Sequence, residues 1–302
     1  MVNGLCFIFL GTLGWGISLF LVKLLLVSLT PEDIIIYRMA LGALFLFVLI
    51  KHQKIKTAQS GVLIKEGVVM GLMNIAIPFY LIVVAEKTVS SSLASIINGL
   101  TPLFTFLLGM IFYSSGQRFH FFNLLSTLLG LAGVVVINMD YRWNEKIEVD
   151  LFALIMASVS YAVAANYAKA RTKSSDPIQV AAAAAVVSVL AMLLYKSIKG
   201  EIFHWHIPQN LLQVAALCWL GIIGSGLSLY LYCLLIQRTS AITASMITYL
   251  MTFTGIVSGV IFLQEKLTYP VISGCGFILA SLVLLNHGRW IKNLLIWDRK
   301  GE

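Results

Sequence analysis

Ten runs of mostly apolar residues follow one another along this chain, each close to the ~20 residues that a helix needs to cross a bilayer. Their approximate limits are 3–22, 33–50, 67–85, 90–112, 121–138, 150–168, 177–195, 211–236, 240–263 and 269–286. The runs are continuous, so they do not read as strands of a membrane barrel, where lumen-facing residues alternate with lipid-facing ones. The connections are short and leave no room for a soluble domain. Composition follows from the runs: of 302 residues, 59% are hydrophobic and 11% charged, against ~45–50% and ~25% in a soluble domain. A globule of this size could not keep so much apolar surface from water. The predicted class is therefore an all-α integral membrane protein with ten transmembrane helices. The first run reads as a span and not as a cleaved signal, because Met1-Val2-Asn3 carries no positive charge and the run is long.

The distribution of Lys and Arg predicts orientation. With the N-terminus in the cytoplasm, the inner segments hold Lys51, Lys54, Lys56, Lys65, Arg118, Lys169, Arg171, Lys173, Arg238, Arg289, Lys292, Arg299 and Lys300. The outer loops hold Lys23, Lys87, Arg142, Lys146, Lys196, Lys199 and Lys266, and Arg38 lies within a span. That bias, thirteen inside against seven outside, places both termini in the cytoplasm and turns the net charge of +8 into a topology signal. The basic residues flank spans and form no single patch, so nucleic acid is not an expected partner; the lipid bilayer is. Cys6, Cys218, Cys233 and Cys275 fall inside spans without metal-ligand spacing and read as small apolar residues. No metal or other cofactor is expected.

The two halves echo each other. Trp15, Lys23 and Pro31 correspond to Tyr161, Lys169 and Pro177 at a shift of 146. Gly71, Tyr80, Ser90, Ala94 and Ser95 correspond to Gly221, Tyr230, Ser240, Ala244 and Ser245 at a shift of 150. Gln117-Arg118 and Asn138 correspond to Glu265-Lys266 and Asn286 at a shift of 148. The expected units are residues 1–140, with helices one to five, and residues 141–302, with helices six to ten and a short basic tail. Five is an odd number, so the second copy must enter the membrane the other way up. Such inverted repeats are the architecture of carriers that bind near the bilayer midplane and expose the site to each side in turn. Duplication kept for stability alone is the plainer alternative.

Several segments resemble the EamA-type ten-helix members of the drug/metabolite transporter superfamily. They are Leu13-Gly14-Trp15-Gly16-Ile17-Ser18 leading to Lys23, then Pro31 and Tyr37-Arg38; Ser95 to Phe106, with Leu100-Thr101-Pro102-Leu103-Phe104-Thr105; and Phe262-Leu263-Gln264-Glu265-Lys266-Leu267. The likeness runs over about residues 5–286. It implies a secondary-active carrier of amino acids or other small metabolites. Gln117 stands where the family commonly has Glu, and Thr252 where Pro is frequent, so an acidic coupling or gating position at these sites would survive only as Glu265.

The candidate site residues are those that place polarity or aromatic surface inside the spans. Ser91, Ser95, Asn98, Pro102 and Thr105 share one face of the fourth span, and Ala241, Ser245, Thr248, Thr252 and Gly255 share the matching face of the ninth. Such stripes serve close helix packing or line a cavity. Asn74, Asn98 and Asn166 are either structural hydrogen bonders or substrate ligands. Trp15, Tyr161, Tyr80, Tyr230 and Tyr249 offer aromatic walls or core packing. Pro78 and Pro102 break their helices and are hinge candidates or packing kinks. Arg38 is the one ionisable residue read as well within a span, either snorkelling toward Glu32, Asp33 and the interface or attracting a substrate carboxylate. Arg38 and Glu265 are the gating or charge candidates. A cavity with amides, hydroxyls and aromatics suits amino acids and related amphiphilic compounds. Uptake of a nucleotide-derived metabolite or efflux of drugs remains the alternative within the transport class. An integral membrane enzyme would need paired carboxylates or a nucleophile with its base, and no such group is visible, so no enzyme is expected. A small-molecule substrate is the expected partner, and a monomer is compatible with the sequence.

Overall fold

The computed structural model describes residues 2–55, 60–89, 94, 97–112, 121–137, 145–263, 268–270, 272–278, 280–281 and 283–284. Among these residues all regular structure is helical. In chain order the helices are α1 (Asn3–Leu25), α2 (Pro31–His52), α3 (Gly61–Ala85), α4 (Thr101–Phe112), α5 (Phe121–Ile137), α6 (Val149–Ser174), α7 (Pro177–Ile198), α8 (Leu211–Arg238), α9 (Ala241–Ser245) and α10 (Ile247–Leu263). Six of them, α1, α2, α3, α6, α7 and α8, are long and apolar enough to cross a bilayer. The fourth, fifth and ninth predicted runs carry shorter described helices, with α9 and α10 sharing the ninth run, and the tenth run is described only in part. Outward-facing apolar stripes follow helical spacing: Leu44 and Val48 on α2, and Leu190, Leu194 and Ile198 on α7, are all more than half exposed. These faces belong in lipid, and the protein is an integral membrane protein.

Local chemistry sets the helix starts. Thr30 caps α2 by accepting from the Asp33 N–H (3.3 Å), and Pro31 occupies the first turn, where its missing donor costs nothing. The counterpart start of α7 repeats the device with Asp176, which accepts from Ile178 N–H (3.0 Å), and Pro177. The counterpart lysines also repeat. Lys23 Nζ donates to the carbonyls of Glu86 (2.5 Å) and Val89 (2.8 Å) at the end of α3, and Lys169 Nζ donates to Gln237 O (3.1 Å) at the end of α8. An ammonium at a helix C-terminus satisfies open carbonyls and complements the dipole.

At the centre, α7 packs on both α2 and α3. A Cβ at Gly67 would lie 2.7 Å from Ala183 Cβ, and one at Gly71 2.7 Å from Val187 Cβ, so both glycines permit the close approach of α3 to α7. Asp33 at the start of α2 meets Lys196 at the end of α7, so these two counterparts run antiparallel. Opposite directions for matching helices are what an inverted duplication requires.

The helices extend past the apolar runs and carry charge inside. Glu32, Asp33, Glu66 and Lys196 lie within α2, α3 and α7 and are buried, as Arg38 is. This corrects the expectation that Arg38 is alone. The apolar runs end where charged residues begin, whereas helices continue as long as those residues find tertiary cover. All four cysteines are free.

Candidate substrate cavity

Among the described residues three π-helical segments interrupt the spans: Leu10–Gly14 in α1, Leu72–Ala76 in α3 and Ile222–Leu227 in α8. The last two occupy counterpart positions at a shift of 150. Such bulges are rare, shift the face of the helix and leave backbone groups available, which is why they gather at functional sites. The second contributes Asn74 to the lining of a cavity, and the other two meet residues of its wall. Trp15, at the end of the first bulge, donates from Nε1 to Gly224 O in the third (3.0 Å), and Arg38 Nε donates to Ser225 Oγ beside it (3.0 Å).

The cavity is lined by residues from both halves of the chain. Several are counterparts at the repeat shifts: Trp15 with Tyr161, Ile82 with Tyr232, Asn98 with Thr248, and Thr101 with Met251. The void is thus lined by matching positions of the two halves. The space between its atoms is about 690 Å³, open solvent included. Trp15 and Tyr232 meet with ring centroids 5.2 Å apart, and Phe79 meets Tyr161 edge-on at 6.3 Å.

Of the residues singled out from the sequence, Trp15, Arg38, Asn74, Asn98, Tyr161, Ser245 and Thr248 line this cavity. Pro78 and Pro102 stand at the breaks behind it. Each lacks the N–H that would bond four residues back, at Asn74 and Asn98 respectively. The Asn98 carbonyl freed in this way accepts from Thr101 Oγ1 (2.7 Å), and Gly99–Leu100 form a turn ahead of α4.

Four candidates sit elsewhere. Asn166 Nδ2 donates to Thr105 O (3.0 Å) and Ala162 O (2.9 Å), tying α6 to α4. Tyr249 is fully buried, with its hydroxyl on Thr127 O (3.1 Å) and its ring filling the space beside Gly130. Tyr80 bonds Tyr195 hydroxyl to hydroxyl (2.9 Å) near Glu32. Tyr230 packs at the edge of the core. Ser95 and Glu265 lie outside the described residues. The sequence reading missed Tyr232, Phe79, Thr101 and above all Glu86, a buried acid on the cavity wall. Phe79, Ile82, Val83 and Glu86 follow the i, i+3, i+4, i+7 pattern of one helix face, and that spacing is the signal that could have found it.

One end of the bundle is tied by charge. Lys196 and Asp33 form a fully buried pair between α7 and α2, Lys199 Nζ donates to Glu32 Oε1 (2.7 Å), and His206 Nδ1 meets Asp33 Oδ2 (2.9 Å). Trp205 covers the Lys196 ammonium at 4.1 Å. The Glu32 carboxylate holds the Lys199 ammonium above its usual range, chiefly through that hydrogen bond. Arg38 is thus not capped by Glu32 or Asp33, whose partners are these residues. The opposite end has a different tie: Gln237 Nε2 donates to Thr172 O (2.7 Å) and Ser175 O (3.0 Å).

A family model described as the EamA-like transporter family matches the chain twice, over residues 2–139 and 149–287. The chain belongs to the EamA-like transporter family. Relatives bear transporter names. An uncharacterized transporter of Archaeoglobus fulgidus is 23% identical over 91% of this EamA chain and 95% of its own length. The uncharacterized inner membrane transporter YedA of Escherichia coli is 22% identical over 92% of this chain and 88% of its own. YdfC of Bacillus subtilis, also an uncharacterized transporter, is 28% identical over 46% of each chain. A solved crystal structure shares the fold with a TM-score of 0.71 at 17% identity, over 91% of this chain and 97% of the other.

Proposed function

We propose that this EamA protein is a secondary-active carrier of small metabolites, with amino acids or related amphiphilic compounds as the leading class. It works by alternating access around the cavity between two inverted repeats, residues 1–140 and 141–302. On this reading the chain crosses a bacterial inner membrane ten times, with both termini in the cytoplasm and the Lys196 end outside. The observation that carries the proposal is the lining of the cavity by counterpart residues of both repeats. Matching halves in opposite orientations have two equivalent ways to pack, and exchanging them would open the same site first to one side and then to the other. The two ends of the bundle are tied differently, by ions at one and by amide–carbonyl bonds at the other, so each can release while the other holds. The inner-membrane name of YedA and the transporter names of the other relatives support the placement. Purified protein in proteoliposomes should show saturable, gradient-driven uptake of at least one member of an amino-acid and metabolite panel. Absence of saturable flux for every member would overturn the proposal.

A further inference from the structure

Among the described residues two charged side chains, Arg38 and Glu86, line the cavity, and both belong to the first half of the chain. Arg38 is 3% exposed and Glu86 is fully buried. Their counterparts at the repeat shifts are Ala184 and Ile236. The duplication therefore supplies the walls, and the charges are an addition made on one side only. Arg38 is held in a fixed plane: its Nε donates to Ser225 Oγ (3.0 Å), and its guanidinium carbon stands 4.4 Å above the Phe79 ring. Its Nη2 is buried and has no hydrogen-bond partner. An unmet donor on a buried cation is among the costlier features a fold can carry. A guanidinium has a planar fork that matches a carboxylate, and Ser225 and Phe79 hold this one at the cavity wall. Glu86 faces the same space at the end of α3. Lys23, close by, has its ammonium on the Glu86 and Val89 backbone carbonyls.

We infer, resting on the transport reading above, that Arg38 and Glu86 are the specificity-determining residues: Arg38 Nη2 anchors a substrate carboxylate, and Glu86 takes the substrate's cationic group. The apolar or aromatic body of the substrate lies against Trp15, Phe79 and Tyr161. The pair of opposite charges leaves the cavity near neutral, so an overall neutral, bipolar molecule enters without burying net charge. A monoamine would set its charge against Arg38, and a simple carboxylate would leave Glu86 facing it; each forfeits one of the two contacts. Because both charges lie on the first repeat, the substrate is gripped by that repeat and slides against the hydroxyls of Ser245 and Thr248 on the other.

The test uses three probes of one shape: phenylalanine, phenethylamine without the carboxylate, and 3-phenylpropionate without the ammonium, with leucine and its two analogues as a second set. Wild-type protein in proteoliposomes should favour each amino acid over both analogues by roughly 10- to 100-fold in kcat/KM, the scale of a lost hydrogen bond to a charged group. Arg38→Gln should bring the amino acid and the amine close to parity, with Arg38→Lys recovering part of the preference. Glu86→Gln should do the same for the amino acid and the deaminated acid. Where a variant does not fold, the wild-type ratios carry the test. Equal handling of all three probes by wild-type protein, or an unchanged ratio in folded Arg38→Gln, overturns this inference and leaves the transport reading standing. Absence of flux for every probe, with none for the wider metabolite panel, overturns both.

Discussion

Removing the Lys196 ammonium by Lys196→Met probes the closed end of the bundle directly. Asp33 is fully buried, and Lys196 pairs with it to join α2 to α7. Breaking a buried pair from one side costs ~3–5 kcal/mol, because the other charge is stranded. Asp33 would keep three further hydrogen bonds, from Thr30 Oγ1 (2.8 Å), His206 N (3.2 Å) and His206 Nδ1 (2.9 Å), so the lower figure applies. About 3 kcal/mol corresponds to roughly two decades in an opening equilibrium. The readout is amide hydrogen exchange in nanodiscs over residues 203–207, since the His206 N–H itself donates to Asp33 and Trp205 rests on Lys196. Exchange there should rise about a hundredfold in Lys196→Met. The double replacement Asp33→Asn, Lys196→Met removes the stranded charge and should return to within about tenfold of wild type, because a neutral, well-packed substitute for a buried pair is often tolerated. Exchange unchanged in the single variant, or equally fast in the double, would refute the assignment of this pair as the tie that holds the end shut.

Three further outcomes follow from the same geometry. Gly67→Val should destabilise the α3–α7 contact by ~1–3 kcal/mol through overpacking against Ala183, whereas Gly276→Ala, in a helix with open space around it, should not lower the melting temperature. Trp15→Phe keeps an aromatic ring against Tyr232 and loses the bond to Gly224 O, so it should cost ~1 kcal/mol of stability and raise the KM for transport more than it lowers the amount of folded protein, measured as uptake against yield. Because Glu32 raises the Lys199 pKa, the contribution of that pair is fully present below the unfolded lysine value of ~10.4 and is lost as pH rises through the raised folded value. The difference in melting temperature between wild type and Lys199→Gln should therefore stay constant from about pH 6 to 9 and shrink only in stronger alkali.

How much of this could be read in the sequence depends on what each feature requires. Trp15 with Tyr161, Lys23 with Lys169, and Pro31 with Pro177 were legible because duplication left side chains with the same local task at constant spacing. The lysines cap carbonyls and the prolines open helices, and both tasks are set within a few turns. Facing was harder to read. Tyr80 and Tyr230 match as a pair, but two residues further on a helix has turned by about 200°, so the counterparts Ile82 and Tyr232 face the cavity instead. The π segments before them move the register again, and nothing in an apolar run marks a π bulge. Glu86 looks terminal because the hydrophobic run stops there; its burial comes from neighbours far along the chain. The Asp33–Lys196 pair joins residues 163 apart in sequence, a contact no local pattern encodes.

The claim that the two halves exchange access to one central cavity is tested most directly by chemistry at Ser245, which lines the cavity from the second half. In a cysteine-free background, Ser245→Cys should react with a membrane-impermeant thiol reagent applied from either side of the membrane, with a transported substrate slowing both reactions. Reaction from one side only under every condition, or from neither, would contradict alternating access around this site.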